Sequence, residues 1–277
     1  MEISYVSSTG EKLVLTEKPY FIEKSQLYDF KWSLALASRP MGDGGRIVSR
    51  RRESYEKTID MYIYAENARE LAKAVNRLAD VTGGDVEKLT PGRLYAGEQY
   101  LPCYISAGEK EVDGDWELCV RCRLTVMPEN PCWHSERRFI FSAQAQADEN
   151  GHKYPSKYPH RYTFFSSSET VMNDHCAESP AVIKIYGPAE NPRFTLAGRE
   201  MGLNVTLLDG EYAVIDQINR TVTKTDAQGD KTGIFDKRLK NGAAFLPLPA
   251  GACTVECSQS LNMEITVVKQ RSEPEWS

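Results

Sequence analysis

A chain of 277 residues with 41% hydrophobic and 26% charged side chains is long enough to bury a core without disulfides or metals, and too apolar to be a disordered chain. No apolar run is long enough to cross a bilayer as a helix. The formal net charge of −5 is spread evenly, with 18 basic and 21 acidic groups in residues 1–130 and 16 and 18 in residues 131–277, which leaves no basic face for tight nucleic-acid binding.

Residues 2–6 and 11–16 read as two short strands around a turn at Ser7-Ser8-Thr9-Gly10. Neither a basic n-region nor an apolar h-region opens the sequence, so no signal peptide is expected. Residues 26–37 are mixed and give no clear period. Pro40-Met-Gly-Asp-Gly-Gly45 predicts a flexible loop, followed by a basic stretch from Arg46 to Arg52. Glycines before basic residues suggest a phosphate cradle, but the preceding strand and the following Lys-Ser/Thr are missing. The expectation is a solvated strand whose Arg50, Arg51 and Arg52 pair with Glu53 and Glu56, or serve an interface.

Ile59, Met61 and Ile63 alternate, which predicts a strand over 58–64. Asn67 is a good N-cap with Glu70 three residues on. Ala68, Leu71, Ala72, Val75, Leu78 and Ala79 then keep helical spacing, and Gly83-Gly84 is expected to end the helix. Its apolar stripe needs a sheet to pack on. Residues 99–106 and 117–127 read as strands joined by an acidic hairpin over 108–115. Pro128 and Pro131 break the pattern, which places a domain boundary between 1–130 and 131–277.

The second part is turn-rich. The Tyr-Pro repeat over 154–162 predicts an extended surface segment or linker, because proline lacks the N–H a helix needs. Strands are expected over 181–186, 194–197, 202–208, 211–217, 219–225, 252–258 and 261–268. Asp209-Gly210 is the signature of a type I′ hairpin. Short strands at spacings of about 8–12 residues without helices predict a sandwich or barrel.

Chemical motifs are sparse. Cys119 and Cys122 form a CxxC, but they lie in a segment that alternates at period two, so their thiols point to opposite sides of a strand. Cys253 and Cys257 would share a strand face, with no second pair at zinc spacing. The seven cysteines, an odd number, read as reduced thiols of a cytosol-made chain. His134, His152, His160 and His175 never pair at i+2 or i+4. No carboxylate spacing singles out a glycosidase pair, and the sequons at Asn204 and Asn219 read as chance. Asn191-Pro-Arg-Phe194 resembles a fragment of a galectin core without its partner residues. No catalytic, cofactor-binding or metal-binding residue is assigned, and no enzyme is expected.

Three stretches taken together resemble the siphophage distal tail protein family, often called Dit. They are the helix with Leu89-Thr-Pro-Gly-Arg-Leu-Tyr-Ala-Gly97 and Tyr100-Leu-Pro-Cys-Tyr-Ile-Ser106; the run Leu124-Thr-Val-Met-Pro-Glu-Asn-Pro-Cys-Trp133; and the Tyr-Pro repeat followed by Ile185-Tyr-Gly-Pro188 and Asn191-Pro192. Tyr212-Ala-Val-Ile-Asp216 and the ending Arg271-Ser-Glu-Pro-Glu-Trp276 also fit. The resemblance implies a mainly β protein: an N-terminal belt domain with one helix (1–130) that closes into a hexameric ring, and an outer galectin-like β-sandwich (131–277). It implies a virion tail tip location after assembly in a bacterial host cytoplasm, between the tail tube protein and the tail-tip hub or tail-associated lysin. A receptor-binding protein is a further implied partner. DNA would pass the ring without specific binding, which a mildly acidic chain suits. No cofactor and no membrane are implied. The alternative from another class is a carbohydrate-binding or glycoside-hydrolysing protein with a lectin-like second half.

Overall fold

The computed structural model describes residues 2–38, 41, 43–112, 118–142, 167–257 and 261–275. The Tyr-Pro repeat, the tip of the acidic hairpin, and Pro40 and Gly42 of the glycine-rich loop lie outside the described residues. The chain forms two compact units, Met1–Ser135 with Gln270–Ser277, and Glu136–Lys269. The boundary expected from the sequence lies at 130/131.

In the first unit, β1 (Ile3–Val6) and β2 (Lys12–Val14) pair about the 7–10 turn. They are followed by β3 (Tyr20–Ser25), β4 (Trp32–Ser38), β5 (Gly45–Arg52) and β6 (Lys57–Tyr64). Helix α1 (Ala68–Glu87) leads to β7 (Gly92–Ala96), β8 (Gln99–Val112) and β9 (Cys119–Pro128). The strands run β3-β6-β9-β8-β7-β1-β2 across one antiparallel sheet, with β4 and β5 paired only to each other. Alternation decides which side is covered: Ile59, Met61 and Ile63 of β6 and Val120, Cys122, Leu124 and Val126 of β9 are buried with Leu71, Ala74, Leu78 and Val81 of α1. Cys119 sits on the opposite side of β9 from the buried Cys122, as period two requires.

The start of α1 is as read from the sequence: the Asn67 side chain accepts the Glu70 N–H at 2.9 Å. Its end is not. Gly83 and Gly84 lie inside the helix, which runs on to Glu87. The last turn is held by a tertiary contact. Asp85 is buried, and its carboxylate accepts from Tyr5 Oη at 2.6 Å and from Ser8 N and Oγ at 2.8 and 2.6 Å. The helix stops where Leu89 takes a φ of 49°.

β10 (Trp133–Phe141) starts in the first unit and runs into the second. The second unit then holds β11 (Ser167–Asn173), β12 (Ala181–Tyr186), β13 (Ala189–Glu190), β14 (Arg193–Leu196) and β15 (Arg199–Gly202). They are followed by β16 (Thr206–Leu207), β17 (Tyr212–Asp216), β18 (Thr221–Thr225), β19 (Lys231–Gly233), β20 (Gly251–Cys257) and β21 (Asn262–Arg271). One antiparallel sheet runs β19-β18-β17-β12-β21 and a second runs β11-β20-β14-β15. Ile183, Ile185, Ile215 and Ile265 of the first share one core with Val171, Phe194, Leu196 and Val255 of the second, so this unit is a sandwich.

The expected hairpin at Asp209-Gly210 is not there. β16 pairs with β13, and β17 pairs with β12 and β18. Residues 208–211 form a four-residue turn closed by Glu211 N–H to Leu208 O at 3.1 Å. Only Gly210 has positive φ, at 79°, whereas type I′ needs it at both central positions. The dipeptide therefore marks a turn, and tertiary pairing chooses which strands it connects.

Candidate assembly interface

The basic stretch from Arg46 to Arg52 is β5, and a strand does precede it: β4, missed because residues 26–37 mix polar and apolar positions. Together they make a two-stranded arm with Leu34 opposite Arg50, and Leu36 opposite Ile47, across a bulge between Ala35 and Leu36. Leu34, Leu36, Ile47 and Val48 are 54%, 65%, 56% and 60% exposed, which is unusual for aliphatic side chains in paired strands. Gly45 is required where the strands approach, since a Cβ there would lie 2.7 Å from Ala37 O. The usable signal in the sequence was two β-prone runs flanking a glycine-rich turn.

The base of the arm is pinned. The Arg52 guanidinium stacks 4.7 Å over the Trp32 ring, and it donates to Cys132 Sγ at 3.0 Å, Ser272 Oγ at 3.1 Å and Gln270 O at 3.4 Å. Lys31 and Glu53 pair at 3.2 Å, and this hydrogen-bonded cation holds the Glu53 carboxyl below its usual range. Beneath them, the buried Lys57 ammonium donates to Leu27 O at 3.3 Å, to Asp29 O and to Tyr55 Oη at 3.3 Å. Burial pushes its pKa down, because leaving water penalises the charged form. The arm is thus rigid at its root and exposed along its length.

Two sheet edges accompany it. β3 pairs only with β6, and β8 pairs with β7 only over residues 99–103, while its partnership with β9 continues to Val112. Among the described residues, the edge of β3 away from β6 and the edge of the second half of β8 away from β9 have no strand beside them, so both can accept one.

The residues considered for chemistry are dispersed. His134 is buried with its ring edge-on to Tyr100, at 5.2 Å, and its Nε2 is 3.3 Å from Gln270 Nε2. His175 is in the second unit, its N–H donated to Asn173 Oδ1. His152 and His160 lie outside the described residues. In the galectin-like fragment, the Arg193 guanidinium donates to Leu203 O at 2.6 Å, Pro192 O at 3.0 Å, Asn191 O at 3.2 Å and Asn204 Oδ1, so it closes the β14–β15 hairpin. Asn219 donates to Asp216 Oδ2 at 2.7 Å. The Cys103 thiol is fully buried, and burial raises its pKa to about 12. Among the described residues, no three or more His, Cys, Asp or Glu side chains converge as metal ligands. A cleft of about 270 Å³ lined by Pro19, Tyr64, Ala65 and Ala74 carries ionisable groups at Lys18, Glu66 and Glu70, with Lys18 and Glu66 paired at 3.6 Å.

No protein-family model matches the sequence. No curated protein matches it either. Solved structures match along the whole chain. The crystal structure of the phage SPP1 Dit protein (gp 19.1), described as a paradigm of the hub adsorption apparatus in phages infecting Gram-positive hosts, aligns with a TM-score of 0.62 at 11% identity, covering 97% of this chain and 99% of that one. The phage p2 baseplate in its activated conformation aligns with a TM-score of 0.66, at 8% identity with Ca and 10% with Sr, each covering 99% of both chains. The chain therefore has the mainly β fold of phage tail hub and baseplate proteins.

Proposed function

We propose that this chain is a structural distal tail protein of a phage or prophage tail, forming a ring that joins the tail tube to the tail-tip hub and host-adhesion device. The observation that carries this reading is the match to a distal tail protein and to baseplate structures over 97% or more of the chain, with both units included.

Residues 1–130 serve as the belt. A closed ring needs a heterologous contact, one surface on each side of the subunit. The unpartnered edge of β3 and the second half of β8 are two different surfaces of that kind, and the β4–β5 arm offers exposed aliphatic side chains to a neighbour. Residues 131–277 act as the outer galectin-like sandwich. The partners are further copies of the chain, the tail tube protein, the hub or tail-associated lysin protein, and a receptor-binding protein. Passing DNA is not bound specifically. The function is adaptor geometry rather than turnover, and its place is the virion tail tip. The carbohydrate-binding alternative is weakened by Arg193, whose two terminal nitrogens donate to the protein's own oxygens.

The test is native mass spectrometry and negative-stain imaging of the purified full-length chain, alone and with its tail partners. A six-fold ring is the expected result. A monomer under both conditions overturns it.

A further inference from the structure

The segment Gln270–Glu275, which ends β21 and follows the whole of the second unit in sequence, belongs to the first unit and holds it at two places. One is the root of the β4–β5 arm. Among the described residues, three hydrogen bonds leave the Arg52 guanidinium, and two of them go to this segment, to Ser272 Oγ at 3.1 Å and Gln270 O at 3.4 Å; the third goes to Cys132 Sγ. The other place is the start of β8. Gln99 Nε2 donates to Glu275 O at 3.4 Å, Gln99 Oε1 accepts the Glu275 N–H at 3.0 Å, and Arg271 Nη1 donates to Glu275 Oε1 at 2.6 Å. Between these ends Pro274 is buried, and its ring fixes the local backbone. The Gln270 side chain lies 3.3 Å from the buried His134, close to where β10 leaves the first unit. The arm has no such support farther out: β4 and β5 pair only with each other, and a lone two-stranded hairpin is marginally stable in water. Its order therefore depends on its root.

We propose that Gln270–Glu275 is an assembly strap: by closing on Arg52 and Gln99 it sets the β4–β5 arm in the pose that a neighbouring copy receives, so a chain joins the assembly only when its strap is seated. The inference rests on the ring reading above and adds the condition under which the arm can act. Chain order gives the device its use. The strap is made after all of Glu136–Lys269, and it reaches Arg52 only when that stretch brings Gln270 back beside His134. An unfolded stretch holds its ends together at an entropic cost that grows with its length, whereas a folded sandwich fixes them. A seated strap therefore signals that the second unit has folded. A chain whose second unit is incomplete or unfolded keeps a loose arm and stays out of the assembly.

The test compares the full-length chain with a chain ended at Lys269, with Q99A/S272A, and with N67A, which removes the cap of α1 and so lowers stability away from the strap. Each is read by hydrogen–deuterium exchange of residues 32–52 and by self-association in light scattering and native mass spectrometry. Without the strap, exchange in the arm should be about tenfold faster and self-association about tenfold weaker; Q99A/S272A should shift both by about threefold, and N67A neither. If the chain ended at Lys269 does not fold, Q99A/S272A decides. Unaltered arm exchange in the strap variants overturns the proposal, and so does a faster-exchanging arm with assembly intact. Assembly lost equally in N67A also overturns it, since the strap would then be one more source of general stability. An assembling parent whose strap variants assemble as well refutes the strap and leaves the ring reading standing, whereas a monomeric parent refutes the ring reading itself and the strap's role with it.

Discussion

At the scale of single residues, burial and backbone conformation make the sharpest predictions. The Cys103 thiol keeps its proton to about 12, whereas an unfolded thiol loses it near 9.0. Between those values the unfolded chain binds fewer protons than the folded one, so this contribution is complete below about pH 9 and is lost as pH rises towards 12. Unfolding free energies from urea titrations at pH 8 to 10 should fall with pH, and Cys103→Ala should flatten the fall by at most about 1.4 kcal/mol per pH unit. An unchanged slope would mean the thiol is already open to solvent. Gly210 is a second case. A Cβ there meets only Ala227, at 3.5 Å, so Gly210→Val costs what positive φ costs, about 1–2 kcal/mol. Asp209→Val, which a type I′ turn would punish equally, should cost less than about 0.5 kcal/mol. Equal losses on chemical denaturation would restore the type I′ assignment.

At the scale of elements, α1 shows where local signals stop being decisive. Asn67 and the apolar stripe were readable because capping and 3.6-residue spacing are local. The helix end was not, because Asp85 reaches Tyr5 and Ser8, 80 and 77 residues away. Gly83 and Gly84 have no positive φ, and an added Cβ at either meets nothing within 4 Å. Gly83→Ala and Gly84→Ala should therefore each stabilise the protein by about 0.5–1 kcal/mol, seen as a raised urea midpoint. Destabilisation by either would contradict a helix running to Glu87. The β4–β5 arm yields the opposite kind of prediction. Leu36 and Ile47 face each other across the two strands and touch solvent rather than the core, so L36E/I47K, which leaves opposite charges facing, should leave the melting temperature within about 2 °C, near the limit for surface substitutions. The same variant should weaken self-association more than tenfold by light scattering. Intact assembly would remove the arm from the interface.

At the scale of the whole molecule, each unit owns a hydrophobic cluster, and neither cluster draws on the other's residues. Residues 136–269 expressed alone should unfold in a single cooperative transition. A first unit cut at 135 should lose stability relative to one that keeps 270–277, because Arg52 donates to Gln270 and Ser272, and Glu275 N–H donates to Gln99 Oε1 at 3.0 Å. The loss expected from these part-exposed bonds is about 1–3 kcal/mol. Calorimetry on the three fragments checks both statements, and an unstructured 136–269 would show that the units fold only together.

What the amino-acid order determined by itself is what period and local chemistry can express. Alternation in 58–64 and 117–127 set strand faces and separated Cys119 from Cys122, capping set the start of α1, and turn residues marked the ends of short strands. What only the tertiary structure decided depends on contacts distant in sequence. Asp85 was unremarkable until Tyr5 closed on it. Asp209-Gly210 signalled a turn but not that β17 would choose β12 and β18 as neighbours. Arg52, read as one of three solvated arginines, became the root of an arm once Cys132 and Ser272 came within reach. The physical reason is the same each time: side-chain direction follows from backbone period, whereas strand partners and buried polar contacts depend on which distant segments complete one another's hydrogen bonds and apolar faces.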